Sequence, residues 1–329
     1  MAASSRTLSC TVALLIVAGA LAWAPVSAQD YPNRPVKLIT PFPPGGGTDA
    51  VARIIAEKLT QILQQPVVVE NRAGAGGSLG TKITAAAAAD GYTLVLGSAA
   101  THAVNPSLYS NVGYDPIKDF EAISPIATTP LLLLVKSALP VQNVAELIAL
   151  SRQRSGSASL NYGSAGTGSA QHLGGELFKS MTQAHILHVP YKGAGPAMND
   201  LLGGHIDMVF DTMPSAMPQL KSPQLKALGV SSPTRNAQLP AIPAIAESVP
   251  GYEMVTWYGL FGPKGIPKAV IQRLNSSVKA ALDDPAVQSK FVGAGINPSW
   301  STSEAFASLV QREVLKWREV IEKSGAKLD

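Results

Sequence analysis

The chain has 329 residues, 46% of them hydrophobic, with 26 basic side chains against 22 acidic and a formal net charge of +4. Lysines and arginines are scattered, with no basic run interleaved with aromatics, which excludes nucleic acid as the expected partner. A single cysteine, Cys10, excludes a disulfide framework and a thiolate metal site.

The N-terminus carries Arg6, a mostly apolar uncharged run from Leu8 to Ala24, and Val26-Ser27-Ala28 before Gln29. That order is a secretory signal peptide over residues 1–28, cleaved after Ala28. The run falls short of the roughly 20 strongly apolar residues of a spanning helix, and Pro25 closes it, so no stable membrane anchor is expected. Cys10 precedes the run instead of following it, which fits a lipoprotein poorly. The mature chain then has no cysteine and about 300 residues, more than one compact core usually holds, so two domains are expected.

Residues 36–40 read as a buried strand, followed by a glycine turn, Pro43-Pro44-Gly45-Gly46-Gly47-Thr48-Asp49. The apolar rhythm of Val51, Ile54, Ile55, Leu59, Ile62 and Leu63 is helical. Residues 66–70 form a β-branched strand, 73–77 a glycine loop, 78–89 a helix and 92–96 a strand ended by Gly97-Ser98. Strand and helix alternate, which implies a parallel α/β sheet. A second series repeats this logic with a strand at 131–135, a helix at 144–154, a strand at 160–162 and a second glycine turn, Gly163-Ser164-Ala165-Gly166-Thr167-Gly168-Ser169. A helix at about 170–181 follows, then strands at 186–189, 206–210 and 225–230 with a helix at 197–202. This half also reads as doubly wound.

Four prolines break residues 233–250; a strand at 255–261 and helices at 268–282, 285–292 and 303–323 complete the chain. Those last helices have no strands of their own, so they are assigned to the first sheet. Chain continuity then needs two crossings, near 126–131 and 253–260, acting as a two-strand hinge. The expected domains are 29–127 completed by 254–329, and 128–253.

Each glycine turn prepares a helix start, where backbone N–H groups lack intrahelical partners and glycine lets main chain approach a ligand. Two such starts make an anion clamp. In the first, Gly45, Gly46 and Gly47 are assigned to main-chain recognition, and Thr48 or Asp49 can cap the helix. Asp49 and Arg53 stand one helical turn apart, as an ion pair or with Asp49 on the ligand. In the second, Ser164, Thr167 and Ser169 add hydroxyls suited to a carboxylate and bridging water. His172 lies in the first turn of the following helix, where the dipole disfavours a cation, so a neutral hydrogen-bonded role is expected. Ser98, Thr101 and Asp211 stand at the C-terminal ends of strands, where α/β sheets bind ligands. Asp211 reads either as a cleft acid or as a helix cap.

No His-Glu-x-x-His or phosphate-loop lysine occurs, and the five histidines show no metal-ligand spacing, so neither enzyme nor metal site is expected. Gly74-x-Gly76-x3-Gly80 follows a strand, yet the next strand ends Leu94-Val95-Leu96-Gly97 with no acid for a ribose. No cofactor is expected.

Several ordered motifs resemble the extracytoplasmic solute receptors of tripartite tricarboxylate transporters, the Bug proteins, over essentially the whole mature chain. They include Tyr31-Pro32-x-Arg34-Pro35, Pro43-x-Gly45-Gly46-x-Thr48-Asp49-x3-Arg53, Val69-Glu70-Asn71-Arg72-x-Gly74-Ala75-Gly76-Gly77 and His102-x2-Asn105-Pro106-Ser107-Leu108-Tyr109. Further along come Gly163-Ser164-Ala165-Gly166-x-Gly168-Ser169-x2-His172-Leu173, Val189-Pro190-Tyr191-Lys192-Gly193, Pro196-Ala197 and Trp257-x-Gly259-Leu260-Phe261-x-Pro263. Ala73 stands where many relatives have proline.

The resemblance implies a type II periplasmic-binding-protein fold, two doubly wound α/β domains joined by a two-strand hinge, with a small organic carboxylate held in the cleft. It implies pincers at residues 42–48 and 164–169, adding Phe42, Pro44, Ala165, Gly166 and Gly168 to the candidates, and a periplasmic protein whose partners are membrane permease subunits. Two other functions are expected to compete. One is a sensor that presents its closed form to a signalling partner; the other is a secreted ester hydrolase with Ser164 as nucleophile and His172 or Asp211 assisting.

Overall fold

The computed structural model describes residues 31–154 and 156–324; the expected signal peptide lies outside them. β1 (Val36–Thr40) buries Val36, Leu38 and Ile39 and ends at the first glycine turn. α1 (Gly47–Leu63) starts there and buries Val51, Ala52, Ile55, Ala56, Leu59 and Leu63, the one-sided stripe its sequence rhythm predicts. β2 (Val67–Asn71) and β3 (Thr93–Ser98) flank β1, both parallel to it, with α2 (Ser78–Ala85) packed on β1 and β3.

The expected strand at 131–135 is the end of a longer one. β4 (Phe120–Lys136) is continuous for 17 residues, and Leu131 to Val135 are fully buried on both faces. Its first part runs through Ser124, Pro125, Thr129 and Pro130, a composition that argues against a strand; its pairing with the neighbouring strand shifts register between Ala122 and Ser124 and between Pro125 and Ala127. After α3 (Val144–Gln153), β5 (Leu160–Ser164) leads through the second glycine turn into α4 (Ala170–Thr182). β6 (Ile186–Pro190), α5 (Ala194–Leu202), β7 (Met208–Thr212) and β8 (Leu225–Val230) complete this part.

β9 (Val255–Pro263) returns, followed by α6 (Lys268–Leu282), α7 (Pro285–Gly293), the two-residue β10 (Asn297–Pro298) and α8 (Ser303–Ser324). The sheet order is β2-β1-β3-β9-β4-β7-β5-β6, with β8 and β10 also paired to β4. Each end is a parallel trio as expected. The middle differs: β9 is antiparallel to both β3 and β4, and β4 is antiparallel to β7 and β8. The sheet is therefore mixed. Residues 120–130 pair with β9 and 131–136 with β7 and β8, so one strand serves both ends. α6 packs on α1 and β4, and α8 on β4.

Separate apolar cores sit on the sheet. Tyr162, Phe178, Phe210 and Tyr252 anchor one, and His102, Phe120, Phe261 and Phe306 stack in another. His102 lies flat on Phe261 at 3.8 Å, and burial drives its pKa down to about 3. It is a neutral core ring, bonded to Thr101 Oγ1 at 2.9 Å. No helix among the described residues is long and apolar enough to cross a membrane.

Candidate functional site

Three helix starts converge on one small cavity. α1 opens at Gly46 and α5 at Gly193, both without a side-chain cap, while Ser169 caps α4 by accepting from the His172 amide at 3.3 Å. The cavity holds about 30 Å3 and is lined by Gly46, Gly47 and Thr48 of α1, Ala170 and Gln171 of α4, and Ala194 of α5, with further residues from three strands. A single water occupies about 30 Å3 of liquid, so the space matches one small polar group. The positive ends of the helix dipoles favour an anion there.

Phe42, Gly46, Gly47, Thr48, Ser98 and Ala165, all expected from sequence, line this inner cavity. The buried hydroxyls of Ser98 and Thr256 face it without a hydrogen-bond partner among the described residues, which marks them as donors and acceptors in waiting. Among the described residues no Arg, Lys, Asp or Glu lines it. Gly47 is required by space: a Cβ there would strike the Thr212 hydroxyl and stand 2.9 Å from the Tyr258 hydroxyl. Burial, with the nearby Asp211 charge, pushes the Tyr258 phenol up, so it stays a donor.

Other candidates support the loops without lining this space. Gly45 is exposed at φ +85°, and its amide donates to Asp49 Oδ2 at 3.1 Å. Asp49 also accepts from Arg53 Nε at 2.9 Å and Asn71 Nδ2 at 3.0 Å. Burial raises the Asp49 carboxyl, but the bonds from Arg53, Asn71 and the Gly45 amide outweigh it and hold the group below its ordinary value. Asp49 thus fastens the first turn, and the ion-pair reading is the one the geometry displays. Pro44 is exposed beside Gly45. Thr101 is buried beneath, its Oγ1 accepting from the Ser98 amide at 3.0 Å.

The second turn is fastened differently. Gly168 donates its amide to His172 Nδ1 at 3.2 Å, and Ser164 Oγ shares a 2.6 Å hydrogen bond with His188 Nε2. The ring beside Ser164 is therefore His188, where the hydrolase reading names His172 or Asp211. The two imidazoles lie 4.2 Å apart, with Glu176 held by Tyr162 at 2.8 Å and Lys179 at 3.1 Å. Burial lowers His188 to about 4, with His172 and Lys179 adding and Glu176 opposing. Burial lowers His172 as well, with Glu176 opposing. Both rings are neutral at pH 7. The Thr167 carbonyl accepts from Tyr109 OH at 3.0 Å, and a Cβ on Gly168 would strike Asn105 Oδ1, so this turn is also braced from across the cleft.

Asp211 lies beneath the second turn in a crevice it shares with Ser164, Ala165 and Gln171. Its Oδ1 accepts from Thr212 N at 2.8 Å and Gln171 Nε2 at 3.2 Å. Burial raises it to about 6, against the bonds from Ser215, Gln171 and the Thr212 amide.

Sequence reasoning missed Gln171, Ala194, Thr256 and Tyr258 as lining residues, and it missed the segment from Tyr191 to Ala194. The Tyr191 amide donates to the Ser164 carbonyl at 3.1 Å, and a Cβ on Gly193 would lie 2.7 Å from Pro43, so this segment touches both turns. A second, outer cavity of about 360 Å3 is bordered by Phe42, Pro43, the glycine loop from Ala73 to Gly77, Ala165, Gly166, Tyr191 and Lys192. No group of His, Cys, Asp or Glu among the described residues is placed to hold a metal ion.

The sequence profile described as tripartite tricarboxylate transporter family receptor matches residues 51–326. Protein BugT of Bordetella pertussis is 40% identical over 307 residues, 93% of this chain and 94% of BugT. R. palustris Rpa4515, solved with adipate, superposes with a TM-score of 0.86 at 38% identity, covering 90% of this chain and 99% of its own. MatC from Rhodopseudomonas palustris, solved with bound malate, gives 0.83 at 32% identity, covering 88% and 100%.

Proposed function

Because the chain belongs to the tripartite tricarboxylate transporter receptor family, we propose that it is a periplasmic solute-binding protein that captures a small organic carboxylate between its two glycine turns and delivers it to a membrane permease. One observation carries this reading. Three helix starts, two of them uncapped, surround a cavity of about 30 Å3 that contains unpartnered hydroxyls and no fixed charge. A carboxylate supplies the missing acceptors and satisfies the dipoles.

The two parts of the sheet, joined through β4 and β9, act as domains that close on the ligand. The ligand stabilises the closed form only by binding it more tightly than the open one, and bridging both turns is how that difference arises. Solved relatives with adipate and malate support a carboxylate as the ligand. An amino-terminal signal peptide would place the protein in the periplasm.

A thermal-shift screen of refolded, ligand-stripped protein against organic carboxylates, with their amides as controls, tests this. A carboxylate at roughly a hundred times its Kd should add about 2.7 kcal/mol of stability, and its amide nothing. Gly46→Asp places an acid at the α1 start and should abolish the shift by repulsion. An undiminished shift in that variant would sink the reading.

A further inference from the structure

We infer that the Tyr109 hydroxyl is a clasp: from the β1–β3 end of the sheet it grips the second glycine turn, keeps a share of the unliganded protein closed, and slows release of whatever the cleft holds. The inference rests on the domain-closure reading above and assigns to that motion a positioning residue that touches no ligand. Tyr109, Asn105 and Thr167 line neither the inner nor the outer cavity.

The clasp is built from two segments that flank β3 in the chain and one that follows β5. Residues 100–108 come directly after β3, and Val104 and Leu108 are buried with Ile321 of α8, which anchors them. The Tyr109 amide donates to the Asn105 carbonyl at 3.0 Å, so the ring stands at the end of an anchored turn. Its hydroxyl donates to the Thr167 carbonyl at 3.0 Å. Burial pushes the phenol up, so it stays a donor. The glycine loop forms the facing wall. Gly74, Ala75, Gly76 and Gly77 all have positive φ, from +47° to +150°, and a Cβ on Gly76 would stand 2.5 Å from the Thr167 carbonyl and 2.9 Å from the Tyr109 hydroxyl. Asn105 ties this loop to the turn that carries the ring, its Nδ2 donating to the Gly76 carbonyl at 2.9 Å and to Ser78 Oγ at 3.2 Å. The Thr167 peptide therefore sits in a socket made by Gly76 and Tyr109, and no atom of a ligand takes part. A contact that separation of the two ends would break favours the closed form whether or not the cleft is filled.

Residues 29–329 contain no cysteine, so spin labels at Gln61→Cys on α1 and Gln153→Cys on α3, both exposed, can report closure as a distance distribution. Without ligand, the unaltered protein should show a closed-form distance beside an open one. Tyr109→Phe should lower the closed-to-open ratio about fivefold, the effect of one neutral hydrogen bond. Gly76→Ala should lower it at least as far, and adding Tyr109→Phe to it should change nothing more, because both remove one contact. Tyr109→Phe adds no atom and decides the matter if Gly76→Ala does not fold. With adipate and malate as probes, stopped-flow should show dissociation from Tyr109→Phe faster by one common factor, with association no slower. An unliganded distribution that is wholly open, or distances and dissociation rates that Tyr109→Phe leaves unchanged, would overturn the inference and leave carboxylate capture standing. Factors that differ between the two acids would place the hydroxyl on the ligand and overturn it too. If neither acid binds, the loss falls on the carboxylate reading, and the unliganded distances decide the clasp by themselves.

Discussion

The two glycine turns are fastened with opposite chemistry. The first is held by a carboxylate: Asp49 takes the Gly45 amide, Arg53 and Asn71, and keeps its charge because those donors outweigh its burial. The second is held by neutral imidazoles, His172 receiving the Gly168 amide and His188 bonding Ser164. An ionised acid and an uncharged ring both accept an N–H, but they lose that ability at different pH. Equivalent loop geometry therefore does not mean equivalent response to conditions.

The largest effect expected from breaking this symmetry is at Gly47, where the first turn meets Thr212 and Tyr258. Gly47→Ala should weaken carboxylate affinity at least about a hundredfold, roughly 2.7 kcal/mol, with little change in helix content. Isothermal titration and circular dichroism on the same sample check both halves of the statement. Asp49→Ala should come next, costing about 2 kcal/mol in denaturant unfolding by leaving the Gly45 amide and Arg53 without their acceptor. On the other side, Gly168→Ala combines a left-handed backbone at φ +84° with a collision at Asn105, and should cost about 1–2 kcal/mol.

The pH profile sharpens the contrast further. Both imidazoles have folded pKa values below their ordinary 6.5, so the stability they contribute is present above that value and is lost as pH falls through the folded values, about 4 for His188. Asp49 is depressed below 3.8, so its contribution persists until pH drops below that. Between pH 7 and pH 4 the second turn should loosen while the first holds. Ligand affinity should fall across this window, and His172→Asn with His188→Asn should flatten the fall. A profile unchanged by that pair would refute the assignment. The smallest effect belongs to Asp211, whose raised pKa makes its ionised form a cost to folding above about pH 6. Asp211→Asn should raise the melting temperature at pH 8 and add nothing at pH 4.

Much of this was legible in the sequence because the signals were local. The stripe from Val51 to Leu63 fixed α1, and the glycine clusters marked two helix starts. The third start escaped because helix periodicity begins only at Ala197, with Gly193, Gly195 and Pro196 reading as loop, whereas α5 starts at Ala194. Thr256 and Tyr258 were hidden inside an apolar strand, and a two-residue period says which face they share but not that a cavity lies against it. The role of His188 depends on its neighbours Ser164 and Tyr162 from the adjacent strand, a pairing that the sequence spacing does not reveal. Trp257, beside the expected crossing, is 7% exposed and meets Phe306 edge-on at 5.7 Å.

The path of β9 also governs how this protein can be made. Leu96 of β3 is bonded to a strand position at Leu260, so the first-built trio of strands leaves its inner edge open until nearly the whole chain has been delivered. In the intervening segment β5 pairs with β6 and β7, whereas β7 and β8 must also find β4 far back in the chain. Until β9 arrives, β3 presents an unpaired edge, the kind of edge that invites pairing with another chain.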